Sequence, residues 1–176
     1  MLQALKLVAF GAPALLCLNS TVLAEFIANP DFTQGDAEKG KQVYQRVGVC
    51  VNCHGWAGDG QAGRNPMAHA AAANLRETEL DAQALYDTIR CGIPGTQMPY
   101  HDGVSYKDDR CYDLVMSDFD AGQAPVKGKT FREKQMIDLI AYLEEYIVGH
   151  GKPTYEECTH YYDTSAAKAC SYLEDK

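Results

Sequence analysis

Three stretches of the chain repeat apolar residues at helical spacing, and segments punctuated by glycine and proline separate them. In the first, Asp36 suits an N-cap, Val43 and Val47 share a face, and Gly48 ends the run. In the second, Thr78 with Asp81 three residues on resembles a capping pair, Leu85 and Ile89 share a face, and Gly92 and Pro94 stop a helix predicted over about Glu79 to Cys91. The clearest begins with a capping box, Thr130-Phe131-Arg132-Glu133. Met136, Ile140, Leu143 and Ile147 then recur at i, i+4, i+7 and i+11, before Gly149, Gly151 and Pro153. The predicted class is all-α, with three to five short helices.

The intervening segments carry less pattern. Gly55 to Asn74 combines glycines, Asn65-Pro66 and small alanines, and reads as an irregular wrapping loop. Gly92 to Lys129 reads as a long acidic loop, with six aspartates between Asp102 and Asp120; loops of this length in compact domains are functional or disordered, and a cross-link would argue against disorder. At the N-terminus, Lys6, the apolar run Leu7 to Leu18 and Val22-Leu23-Ala24 have the three parts of a secretory signal, and the apolar run is too short to span a bilayer. The expected organisation is a signal peptide at 1–24, an N-terminal tail at 25–34, one domain at 35–149 with an insertion at 101–129, and a C-terminal extension at 150–176 packed outside the core. The mature protein is expected in the periplasm, without stable membrane insertion.

Charge narrows the partners. The chain has 16 basic and 24 acidic residues, a formal net charge of −8, and the leader removes one lysine and no acid. Nucleic acid is thereby disfavoured and a partner with a basic face favoured. Of 7 cysteines, Cys17 falls in the leader. Cys50 and Cys53 belong to a motif discussed next, leaving Cys91, Cys111, Cys158 and Cys170, which allow three pairings. Sequence proximity favours Cys91 with Cys111 and Cys158 with Cys170, each bridge stabilising by about 3 kcal/mol in the chain-entropy description.

Cys50-Val51-Asn52-Cys53-His54 is a CxxCH sequence. Two thiols separated by two residues reach both vinyl groups of one haem while the adjacent imidazole reaches its iron, so Cys50 and Cys53 are expected to form thioethers and His54 to ligate. The competing readings fare worse: Cys158 and Cys170 are too far apart for a second zinc-ligand pair, and the βαβ pattern of a dithiol oxidoreductase is missing. Opposite His54, Met98 in Gly95-Thr96-Gln97-Met98-Pro99 lies in a loop with little packing rationale and is the expected second axial ligand. Met116 and Met136 fit core filling better, His101 is a weaker competitor, and His69, His150 and His160 are expected to face solvent.

Over about Gly35 to Val148 these residues resemble the class I cytochrome c family. Gly40 and Tyr44 match the glycine and aromatic that precede CxxCH on the family's N-terminal helix, and Ile140-Ala141-Tyr142-Leu143 matches the aromatic-bearing C-terminal helix that crosses it. Met98-Pro99 matches its methionine loop. The resemblance implies a cytochrome c fold wrapped around one covalently bound haem c, and it assigns to Pro66 the carbonyl that accepts a hydrogen bond from the ligand histidine. It implies a one-electron carrier rather than an enzyme, with redox proteins as partners. The acidic insertion and the extension depart from the compact family pattern and resemble acceptor cytochromes of quinoprotein alcohol dehydrogenases. A PQQ-dependent dehydrogenase as donor, and an oxidase or another cytochrome as acceptor, are the partners that follow. Two readings compete: a tightly bound haem subunit of a larger oxidoreductase, and an open-site haem enzyme or sensor in which Met98 is not a ligand.

Overall fold

The computed structural model describes residues 30–62, 72–162 and 167–174. Among the described residues six α-helical segments follow one another: α1 (Ala37–Gln42), α2 (Val51–His54), α3 (Ala82–Cys91), α4 (Glu133–Tyr146), α5 (Tyr155–Tyr162) and α6 (Ala167–Cys170). α1 to α4 lie within residues 35–149 and α5 and α6 within 150–176, and pairing among the described residues is limited to two isolated bridges. The expected all-α class holds. The expected leader at 1–24 lies outside the described residues.

Capping sets where the helices begin. Asp36 accepts from the Lys39 amide at 3.1 Å, as its position implied. Thr78 and Thr130 do not cap: Asp81 accepts from the Ala84 amide at 2.8 Å and α3 starts at Ala82, while the Arg132 amide donates to Gln135 Oε1 at 3.0 Å and α4 starts at Glu133. The N-caps thus lie three residues beyond Thr78 and two beyond Thr130, at the positions where a side-chain acceptor meets a first-turn or cap amide.

The core forms where α1 crosses α4. Gly40 lies so close to α4 that a Cβ there would overlap the Asp138 carbonyl oxygen and stand 2.7 Å from Tyr142 Cβ. Asp138 is itself buried, and the Asp36 amide (2.8 Å) and the Lys134 ammonium satisfy its carboxylate. Along the crossing Tyr44 meets Tyr142 at 5.4 Å between ring centroids. Leu85 and Ile89 of α3 pack with Met136, Leu139, Ile140 and Leu143 of α4 and with Ile147 in the same cluster; each such buried side chain contributes about 2 kcal/mol. Met116, expected as core filler, is instead exposed on a surface turn at Met116–Asp118.

Both added segments are tied down. Cys91 pairs with Cys111 and Cys158 with Cys170, the pairings that sequence proximity favoured. Residues of the 101–129 segment build a small core of their own, with Tyr106 between Tyr100 and Phe119 at 5.5 Å from each and the Cys91–Cys111 bridge beside them. The extension is more deeply engaged than expected: Tyr161 joins the main core, and Cys158 and Cys170 are fully buried. The buried Arg76 guanidinium holds it through the Glu157 carboxylate at 2.9 Å and the carbonyls of Gly151, His150 (3.1 Å) and Ala57 (3.2 Å).

Because Gly40 faces α4 backbone, Gly40→Ala should force the crossing apart. Despite alanine's better helix propensity, a net loss of about 2 kcal/mol is expected, lowering Tm by roughly 6 °C. Thermal unfolding measures it, and an unchanged or raised Tm would contradict the crossing.

Candidate functional site

The CxxCH segment folds as a single helical turn, with the His54 amide donating to the Cys50 carbonyl at 2.9 Å. α1 ends in a π-helical run through Val47, and the chain leaves it through Gly48 and Val49, which takes a positive φ of 50°. That reversal sets α2 against the core. Just beyond His54 the buried Tyr44 hydroxyl donates to the Gly55 carbonyl at 2.7 Å, so the α1 aromatic anchors the end of the motif directly. Gly55 has φ +77°, and a Cβ there would stand 2.6 Å from the Gln61 carbonyl oxygen.

Cys50 and Cys53 are free, whereas the other four described cysteines are in disulfides. Burial pushes the Cys50 thiol up to about 12, so it is a neutral thiol rather than a thiolate. An attacking redox cysteine needs the opposite shift, and among the described residues no three His, Cys, Asp or Glu side chains are grouped to hold a metal ion. His54 is buried, and its Nδ1 lies 3.0 Å from the Ala73 carbonyl oxygen. A carbonyl can only accept, so Nδ1 carries the hydrogen and the lone pair is left on Nε2. Burial depresses the imidazole pKa, partly opposed by that carbonyl, and favours the neutral ligand form.

The acceptor for Nδ1 is therefore Ala73, in the position that the family resemblance gave to Pro66. Pro66 lies outside the described residues, as does His69. No residue-type preference marks a backbone carbonyl in sequence, which is why Ala73 was not legible there.

Met98 is half-buried and packs against the main core cluster, as do Cys50, Val51 and Leu75. Its loop closes on itself: the Ile93 amide donates to the Met98 carbonyl at 3.1 Å and the Met98 amide to Thr96 Oγ1 at 3.1 Å. His101, the weaker candidate, is neither solvent-facing nor free. It is buried and stacks on Phe131 at 4.2 Å, with Nδ1 2.7 Å from the Lys129 carbonyl oxygen. His150 pairs with Glu157 at 3.1 Å, and His160 stacks on Tyr146 at 4.9 Å, both on the extension side and both exposed as expected.

The donor set fits a covalent haem: two thiols outside any disulfide, one helical turn apart, an imidazole whose Nδ1 is engaged so that Nε2 keeps the lone pair, and a thioether in a constrained loop against the same core. Residues 35–116, just under half of the chain, match the family described as cytochrome c oxidase, cbb3-type, subunit III. Neither a curated protein nor a solved structure matches the chain.

Thiol titration of the denatured, unreduced mature holoprotein should find no free thiol, and protein made without haem attachment should expose Cys50 and Cys53. A reactive thiol in the holoprotein would break either the attachment or one of the disulfides.

Proposed function

From the premise that this chain carries a c-type cytochrome domain, with covalent haem c and electron transfer as its business, we propose that it is a periplasmic monohaem carrier. Single electrons pass through it from a donor dehydrogenase to a terminal acceptor, and it transforms no substrate. The observation that carries this reading is the pair of unpaired thiols beside a histidine whose Nδ1 is already engaged.

In this reading Cys50 and Cys53 would form the two thioethers to the haem, and His54 Nε2 and the Met98 thioether would hold its iron. The bound haem supplies the one-electron iron chemistry. The Ala73 carbonyl fixes the His54 ring and raises its basicity. Burial of His54 and the apolar packing of Val51 and Leu75 keep water from the ligand set. A thioether donor favours the ferrous state and so raises the potential. Were His54 and Met98 both to hold the iron and stay in place, little reorganisation would accompany transfer.

Export to the periplasm is supported by the Cys91–Cys111 and Cys158–Cys170 bridges, which persist in oxidising compartments. No described helix is long and apolar enough to cross a membrane. On the insertion, Asp109, Asp113, Asp118 and Asp120 are exposed and suit a partner with a basic docking face, for which a PQQ-dependent dehydrogenase is the proposed donor and an oxidase or another cytochrome the acceptor. Exposed Met116 and Val126 on the same segment favour one competing arrangement, a permanently docked haem subunit, and co-purification with a large dehydrogenase would identify it.

The ferric protein should show the weak long-wavelength band of methionine-to-iron ligation, and Met98→Ala should abolish it and lower the potential; persistence of the band in the variant removes Met98 from the iron. Electron transfer with the native donor should slow several-fold as ionic strength rises from about 0.01 to 0.15 M, as screening shortens the Debye length. A rate indifferent to salt excludes steering by the acidic insertion.

A further inference from the structure

The 101–129 segment has a second use besides presenting acid to a partner. The loop that carries Met98, Gly92 to Tyr100, makes hydrogen bonds to this segment at three of its positions. At its start, the Tyr112 hydroxyl donates to the Gly92 carbonyl at 2.7 Å, and one residue earlier the buried Tyr106 hydroxyl donates to the Cys91 carbonyl at 2.6 Å. In its middle, the Gly95 amide donates to the Gln123 carbonyl at 3.1 Å. At its end, the Tyr100 amide donates to the Val126 carbonyl at 2.9 Å and the Gly128 amide returns a bond to the Tyr100 carbonyl at 2.9 Å, forming a parallel bridge with Lys127.

Covalent and ionic ties close the same frame. The Cys91–Cys111 disulfide joins the C-terminus of α3 to the segment. The Arg90 guanidinium, buried, engages the Asp102 carboxylate and, at 3.8 Å, Glu133 at the start of α4. Ser105 Oγ donates to the Arg90 carbonyl at 3.0 Å, so the carbonyls of residues 90, 91 and 92, which α3 leaves without helical partners, are each capped by a hydroxyl of this one segment. The loop itself leaves no slack: a Cβ on Gly92 would stand 2.6 Å from the Pro99 carbonyl carbon and the Tyr100 nitrogen.

We propose that the insertion is an intramolecular clamp on the methionine loop, and that Tyr106 and Tyr112 are positioning residues that keep the Met98 thioether at the iron. The inference rests on Met98 being the axial ligand. A thioether is a weak, neutral donor, and a flexible loop would let it exchange with an external ligand. A loop bonded at both ends and in its middle must break those bonds before Met98 can swing away, so the cost of opening becomes a barrier to ligand exchange. Tyr112 shows the division of labour: its hydroxyl serves the loop while the residue as a whole is 51% exposed.

The test follows displacement of the methionine band when cyanide is added to the ferric holoprotein. Tyr112→Phe and Tyr106→Phe each remove one hydroxyl and keep the ring; each should speed displacement about fivefold, the pair more than tenfold, with the resting band retained. Asp108→Asn is the control on the same segment, since the Asp108 carboxylate bonds within its own turn, to Arg110, and not to the methionine loop among the described residues, and should leave the rate as in wild type. A structural role alone would lower Tm and leave the displacement rate unchanged, and that result overturns the clamp. Wild-type protein without the band, or a Met98→Ala variant that keeps it, overturns the ligand assignment instead.

Discussion

Everything that positions the CxxCH turn depends on how closely α1 approaches α4 at Gly40. A side chain there would occupy the space of the Asp138 carbonyl, so the absence of one allows two backbones into near contact. That approach brings Tyr44 beside Tyr142, and with the ring so placed its hydroxyl reaches the Gly55 carbonyl, one residue past His54. A backbone contact at residue 40 is thus passed through one phenol to the backbone that follows His54. The buried carboxylate of Asp138 does related work, since the Asp36 amide and the Lys134 ammonium that satisfy it fix the start of α1 against α4.

The two segments added to this frame are secured by the same device, a buried arginine whose charge is matched locally. Arg76 gathers three carbonyls and Glu157 to hold the extension, and Arg90 gathers Tyr86, Asp102 and Glu133 to hold the insertion. A guanidinium buried this far is costly unless its donors are met, and removal of one partner typically costs about 3 to 5 kcal/mol. Each arginine therefore makes the placement of its segment a condition of the folded domain. Each segment also carries one disulfide, so cross-link and buried ion pair act together. The family match ends at residue 116, within the insertion, so much of this reinforcement lies outside it.

The CxxCH motif and the helices were legible because their signals are local. CxxCH needs no tertiary context, the 3.6-residue period of Met136, Ile140, Leu143 and Ile147 matches the face that is buried, and cysteine proximity picked the right pairs. What was not legible depends on distant backbone. The Ala73 carbonyl on His54 has no side-chain signature, and His101 looked like a loop residue because Phe131 and the Lys129 carbonyl, which bury it, come roughly thirty residues later. The acidic loop looked patternless for a similar reason: its small core is assembled from Tyr100, Tyr106 and Phe119, whose spacing follows neither a helix nor a strand. The extension looked peripheral because, among its described residues, Tyr161 alone joins the main core.

The central claim is that this fold holds one iron between the His54 imidazole and the Met98 thioether in both oxidation states. Iron-edge X-ray absorption on the purified ferric and ferrous holoprotein tests it most directly. The account predicts a six-coordinate iron with one sulfur scatterer in each state and nearly the same ligand distances in both. A five-coordinate iron, an oxygen from water in place of the sulfur, or two imidazoles and no sulfur would contradict it.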